Sequence, residues 1–190
     1  MLERDPLTGL PAHAACLMEV AHRIAIGRGF TLLLVDMDAL KVVNGLRSWK
    51  RGDWLLQQAG QAAGTLDPLA PVFRFSGDEF VVLLPTCDIR EAIRFGQRIR
   101  AAVSSIDLSA SGEPDEPDDP AVWRLDCSIG IARWPEDAAT AGDLVATADR
   151  ALYAVKRHGG RGVASTTDVT PTLEGSPASR NLLHRHPPHT

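Results

Sequence analysis

The chain has 190 residues and a formal net charge of −4, a length that suits one domain with a real core plus any tails it carries. The negative balance argues against a nucleic-acid duplex as partner, because such partners demand a basic surface, and leaves a metal-bound nucleotide open. No apolar run approaches the roughly 18 residues that span a bilayer, and the N-terminus lacks a signal-peptide layout, so a cytoplasmic protein without a membrane segment is expected.

Residues 5–11, DPLTGLP, form a turn-rich lead-in, after which Leu17, Val20, Ala21 and Ile24 share one helical face that ends near Gly27 or Gly29. Residues 31–35, TLLLV, read as a strand buried on both faces that runs straight into Asp36-Met37-Asp38. These acids can simply end the strand, with Asp38 capping the next helix. That reading accounts poorly for Asp36, since a carboxylate abutting a buried strand bears a desolvation cost that a cation would offset. Residues 39–44 look helical and 45–52 read as a loop, which makes Asp53 the N-cap of a helix from Trp54 to about Thr65.

Residues 72–84, VFRFSGDEFVVLL, read as a β-hairpin whose tip is Ser76-Gly77-Asp78-Glu79, with Gly77 expected to supply a positive φ. Acids at such a tip are ordinary solvated turn residues unless the fold brings a second acidic site opposite them. Asp88-Ile89-Arg90-Glu91 resembles a capping box at the start of a helix towards Ser104. Residues 109–120 are acidic and Pro-rich, a disordered surface loop without calcium-loop spacing. In residues 123–132, Trp123, Leu125, Cys127, Ile129 and Ile131 alternate onto one face of a strand. A last helix follows, with its N-cap at residues 140–143, Leu144, Ala148, Ala151, Leu152 and Val155 at helical spacing, and Gly159-Gly160 as its stop. Residues 164–190 lack periodicity and read as a disordered tail, in which His184, His186 and His189 have no fixed geometry for a metal. The expected domain is therefore 1–163. Cys16, Cys87 and Cys127 show no ligand or redox spacing and read as thiols of a reducing compartment.

The order contains βαββαβ, an α/β (α+β) arrangement whose antiparallel sheet is covered by helices on one face. Its first strand can lie beside the hairpin, so that Asp36 approaches Asp78 and Glu79. Divalent cations are the ordinary way to hold such like charges together, and hard oxygen ligands suit Mg²⁺ or Mn²⁺. Two cations there would support displacement at phosphorus.

Four blocks occur in order: DPLTGLP, DMDALKVVN followed by GD, RFSGDEF, and SIGIA with ADRALYAVK. Through them the chain resembles the GGDEF domain of bacterial diguanylate cyclases, over residues 5 to about 163. The resemblance implies a palm-like nucleotidyl cyclase fold that condenses two GTP molecules into cyclic di-GMP between two facing domains, hence a homodimer. It implies that Asp36, Asp78 and Glu79, with the backbone carbonyl of Met37, hold Mg²⁺ (or Mn²⁺), and that Asp78 helps deprotonate the attacking 3′-hydroxyl, with Glu79 its catalytic neighbour. Asn44 and Asp53 match the guanine-reading positions, Lys41 and Lys156 match phosphate-contacting lysines, and Gly77 would let backbone approach the phosphates.

The chain also departs from the family's pattern. Ser76 replaces the first signature glycine, and Gly45 and Trp49 replace the usual Asp and His beside the guanine pocket. Arg161 falls one residue after the usual phosphate-contacting Arg, with Gly160 at the matching place. Asp67-Pro68-Leu69-Ala70 stands where the family has its Arg-x-x-Asp inhibitory site, so feedback through that site is expected to be absent. The chain begins without a sensory or coiled-coil segment, which leaves a separate sensory partner as an expectation. It also supports the competing reading, a degenerate domain that binds GTP or a protein without turnover. Cyclisation of a different nucleotide is disfavoured while Asn44 and Asp53 are present.

Overall fold

All eight residues of β1, Phe30–Met37, are buried, because this strand lies in the middle of the sheet with helices on both of its faces. The structure is a computed structural model that describes residues 3–38, 40, 49–111 and 125–166. After α1 (His13–Ala25) and β1 come α2 (Trp49–Gly64), β2 (Val72–Ser76), β3 (Glu79–Leu84) and α3 (Ile89–Ser104). A 3-10 turn at Leu108–Ser111 precedes β4 (Cys127–Trp134), α4 (Ala141–Arg157) and β5 (Val163–Ser165). The strand order is β2-β3-β1-β4-β5. β1 is antiparallel to β3 and β4, and β5 runs parallel to β4. The α/β fold forms as expected, with the hairpin beside the first strand, and the sheet is mixed rather than wholly antiparallel.

Both sheet faces carry helices, which corrects the expectation of one covered face. Leu33, Val35 and Met37 pack with Leu55 and Ala59 of α2 and with Phe95 of α3. Phe30, Leu32 and Leu34 pack with Cys16 and Val20 of α1 and with Leu144 and Ala148 of α4. The cause is compositional: β1 is apolar at odd and even positions alike, so each face has surface to remove from water. Helix α4 lies directly on β4 at Gly130, where a Cβ would come within 2.0 Å of the Ala148 carbonyl oxygen and 2.5 Å of the Leu152 nitrogen.

Several local expectations shift. In α1 the inward pair is Cys16 and Val20, while Leu17 is 38% exposed and Ala21 is also exposed. The apolar residues there fill more than one stripe, and contact with the sheet selects the stripe that is buried. Residues 49–52 are helical rather than loop, so Asp53 lies inside α2 and exposed, not at its N-cap. The helix extends backwards past Gly52 around Arg51, which is only 1% exposed and whose Nε donates to Ser111 Oγ at 3.0 Å. Strand β4 begins at Cys127 rather than Trp123, with residues 121–124 outside the described residues. Leu125, Cys127, Ile129 and Ile131 do share one cluster. The expected boundary at residue 163 falls inside a strand, since Val163–Ser165 pairs with β4 and Ala164 and Ser165 are buried. Residues 112–124 and 167–190, with most of the acidic loop and the three tail histidines, lie outside the described residues.

The helix ends follow the sequence closely. Asp88 Oδ1 accepts the Arg90 and Glu91 amides at 2.8 and 3.4 Å, and Thr140 Oγ1 accepts the Asp143 amide at 3.1 Å. Beyond α4, Gly159 and Gly160 take φ values of 100° and 73°, a left-handed stop. All three cysteines are free, and burial holds the Cys16 thiol up to about 12, which leaves it inert at neutral pH.

Candidate functional site

The ends of β1 and β3 create the site by register alone. Asp36 is paired directly with Glu79 of β3 on one side and with Ser128 of β4 on the other. The hairpin turn is Gly77-Asp78, closed by the Ser76–Glu79 pair. The Met37 amide donates to the Asp78 carbonyl at 3.2 Å, which stitches the hairpin tip to the end of the central strand. Two acidic segments far apart in sequence thus become one edge.

The turn is braced from behind. Arg74 lays its guanidinium 5.0 Å over the Phe80 ring and donates through Nη2 to the Gly77 carbonyl. Its own amide donates to the Pro11 carbonyl at 3.0 Å, so the DPLTGLP lead-in lies along β2. That lead-in holds its shape because Asp5 Oδ1 accepts both the amide and the hydroxyl of Thr8 at 2.7 Å. Burial lowers the Arg74 pKa against the pull of Asp5, Asp78 and Asp53, so the exposed Asp53 of α2 shares this local field.

Charge is concentrated here at a cost. Asp36 is 8% exposed. Burial pushes its carboxyl above the usual range, Lys156 opposes this, and the neighbouring charges of Asp78 and Asp38 add to it. Glu79 is likewise pushed up by burial; a hydrogen bond from Ser76 opposes the shift, and Asp36, Asp78 and Asp149 reinforce it. Lys156, in the last turn of α4, brings Nζ to 2.5 Å from Asp36 Oδ1. Apart from that ammonium, no donor reaches Oδ1 among the described residues. A buried oxygen held only by a half-exposed lysine, beside a second destabilised carboxylate, is a donor set that fits a divalent cation.

Among the described residues, no three His, Cys, Asp or Glu side chains converge as a ready metal cage. The expected meeting of Asp36, Asp78 and Glu79 takes the form of a cross-strand pair with Asp78 at the adjacent turn. Gly77 corrects another expectation. It has no positive φ, and a Cβ there would meet nothing within 4 Å, so the hairpin itself does not demand glycine. Arg161 is exposed and adopts φ 59°, a left-handed conformation for a residue that bears a side chain. Lys41, Asn44 and Gly45 lie outside the described residues.

Two acids hold places here that the sequence reading did not assign, Asp149 having no role in it and Asp38 only that of a helix cap. Asp149 of α4 adds its charge to Glu79 and is itself pushed up by burial; its seven-residue spacing from Lys156 was the available signal. Asp38 points to a different set of partners: Ser128 Oγ lies 2.7 and 2.9 Å from its two carboxylate oxygens, and the Arg161 amide donates to Oδ2 at 2.9 Å. A groove of about 460 Å³ between α2 and the end of α3, bordered by Trp54, Gln58, Leu66 and Ile106, contains none of the expected site residues.

The described architecture is an α/β domain with a five-stranded mixed sheet and a carboxylate-tipped hairpin beside its central strand. The family described as "Diguanylate cyclase, GGDEF domain" matches residues 2–162, and the chain belongs to that family. It is 35% identical over 161 residues to the diguanylate cyclase DgcP of Pseudomonas aeruginosa, a match covering 82% of this chain and 22% of that protein. It is 32% identical over 145 residues to the diguanylate cyclase DosC of Escherichia coli K12, covering 74% of this chain and 29% of that protein. The chain spans less than a third of the length of these two relatives. Among solved structures, the GGDEF domain of PA1120 (TpbB or YfiN) from Pseudomonas aeruginosa superposes with a TM-score of 0.73 at 28% identity, over 86% of this chain and 94% of that one. The diguanylate cyclase SiaD of Pseudomonas aeruginosa, solved in complex with its activator SiaC, gives 0.72 at 26% identity, over 85% and 61%.

Proposed function

We propose that this chain is a diguanylate cyclase domain that condenses two GTP molecules into cyclic di-GMP with release of pyrophosphate, using Mg²⁺ or Mn²⁺. The observation that carries the reading is the direct pairing of Asp36 with Glu79 at the end of the central strand, with Asp78 at the adjoining turn. Asp36, Asp78 and Glu79, with the Met37 carbonyl, would hold the cations. Bound there, divalent cations would supply charge neutralisation for the triphosphate and acidification of the attacking 3′-hydroxyl.

The chain's own groups take the remaining tasks. Asp78 lies at the exposed end of the hairpin, where it accepts the 3′-hydroxyl proton of a nucleotide held by a facing domain. Lys156 ends on Asp36 through a flexible stem, and the same ammonium reaches out to a phosphate once the carboxylate has another partner. Asp53, with Asn44, reads the guanine edge, and Lys41 and Arg161 add positive charge for the phosphates. Each product molecule contains two nucleotides, so two copies must meet, and we read the working unit as a homodimer located in the cytoplasm. SiaD's activator complex makes a protein partner a natural input here too. Residues 67–70 carry no arginine at the inhibitory position, and we read this domain as free of feedback through that site.

The test is chromatographic analysis of products from GTP and Mg²⁺ over a range of protein concentrations, with Asp78→Ala alongside. Cyclic di-GMP that rises faster than linearly with protein and vanishes in the variant is expected. Equal product from both proteins removes the active-site assignment, and nucleotide binding without product at every concentration makes the chain a binding module.

A further inference from the structure

The second acid of Asp36-Met37-Asp38 adds its charge to Asp36 and directs its carboxylate oxygens into the turn between α4 and β5. Both of its oxygens face the Ser128 hydroxyl, at 2.7 and 2.9 Å, and Oδ2 also takes the Arg161 amide at 2.9 Å. That amide is shared with Ser128 Oγ at 3.1 Å, and Ser128 is itself fully buried, so its hydroxyl needs this network. On either side, the Gly160 amide donates to the Val155 carbonyl at 3.1 Å and the Gly162 carbonyl accepts the Ile129 amide at 2.9 Å. The turn is therefore tied to α4 at its start, to β4 at its end and to Asp38 at its centre.

This clamp also explains the displaced arginine. A Cβ at Gly160 would come to 3.1–3.2 Å from all three atoms of the Asp38 carboxylate, and Gly160 has φ 73°. A side chain at residue 160 would press on the Asp38 carboxylate, and the next position, Arg161, is exposed and meets that carboxylate through its backbone amide instead. The conformation at Arg161 is strained for a non-glycine residue, which requires its surroundings to hold it there.

We propose that Asp38 is a positioning residue for anion binding: by gripping the Arg161 amide and Ser128, it fixes the turn that aims Arg161, with Lys156 one turn earlier, at the nucleotide phosphates. The two acids of the motif thus have opposite jobs, Asp36 towards cations and Asp38 towards the groups that hold anions. The inference rests on the proposed use of GTP at this site.

The experiment compares the whole chain with Asp38→Ala and Asp38→Asn, the near-isosteric Asn keeping one carbonyl acceptor. Amide hydrogen exchange at Arg161 should quicken in Asp38→Ala. Equilibrium GTP binding in Mg²⁺ should weaken about tenfold, the worth of a charge-assisted hydrogen bond. The Mg²⁺ concentration that half-saturates binding should not move, and Asn should recover part of the loss. Unchanged exchange at Arg161, unchanged GTP affinity, or a raised Mg²⁺ requirement that makes Asp38 a cation ligand each overturns the proposal. A wild type that binds GTP and makes no cyclic di-GMP defeats only the proposed function, while the binding and exchange comparisons still support or overturn the role of Asp38.

Discussion

Glu79→Gln should stabilise the fold in the absence of divalent cations while removing activity. Asp36 and Glu79 are direct cross-strand partners, a relation that places Cβ atoms about 5 Å apart. Two unit charges at that separation repel by roughly 3 kcal/mol at the effective dielectric of a protein surface. Lys156 relieves Asp36, and water still reaches the partly buried Glu79, so the net gain from neutralising Glu79 is about 1 kcal/mol. In a domain of this size that corresponds to a rise of about 2–4 °C in the thermal midpoint.

The pH dependence fixes the sign independently. The Glu79 carboxyl is raised in the folded state from its ordinary value of 4.5, first by burial and then by Asp36, Asp78 and Asp149. The folded protein therefore takes up this proton before the unfolded chain does. The penalty is fully present above the folded pKa and relaxes as pH falls towards 4.5. The advantage of Gln over Glu should be largest at neutral pH and shrink on acidification through that window. Thermal unfolding of both proteins in EDTA from pH 7 downwards measures it, and repeating the scan with Mg²⁺ should stabilise the wild type more than the variant. A lower midpoint for Glu79→Gln at pH 7 in EDTA would refute the reasoning, since it would mean Glu79 is held by favourable partners rather than stranded among like charges.

Lys156→Gln should tighten Mn²⁺ binding about fivefold without nucleotide, since a half-exposed ion pair worth roughly 1 kcal/mol no longer competes for Asp36, and the same variant should bind GTP more weakly; calorimetric titration reads both, and weaker Mn²⁺ binding would remove the competition. Gly130→Ala should destabilise the domain by at least about 1–3 kcal/mol, because its Cβ lands on the backbone of α4 rather than on a movable side chain; an unchanged denaturation midpoint would mean that α4 can lift off β4. Cyclic di-GMP added to a turnover assay should leave the rate largely unchanged, since the turn at residues 67–70 lacks an arginine and nearby Arg98 is committed to the Leu66 carbonyl at 3.0 Å and the Phe95 ring; a sharp fall would show that another surface grips the product.

What could be read from the sequence divides along the range of the interactions involved. Helix caps at Asp88 and Thr140, the hairpin and the left-handed stop at Gly159-Gly160 each depend on a few neighbouring residues, and each stands where local chemistry puts it. The start of helix α2 is not legible locally, because the group that anchors its first turn, Arg51, is bonded to Ser111, sixty positions away. Strand β5 leaves no local signal, because three residues have no period of their own; their strand character comes from β4.

The site divides the same way. Asp36, Asp78 and Glu79 stood out because carboxylates beside buried strands conflict with their local surroundings, and that conflict is visible in the sequence itself. Asp38 had an adequate local explanation as a helix cap, so nothing drew notice to it, and its partners lie 90 and 123 residues further along. The shifted arginine and the glycine at residue 160 were the trace of that contact in the sequence. They read as a departure from the family's pattern, and the structure gives that departure a neighbour, because a Cβ at residue 160 would crowd the Asp38 carboxylate at 3.1–3.2 Å. A substitution that looks like decay can therefore mark a second arrangement of the same functional groups, and whether Arg161 is still aimed at the phosphates decides between the two.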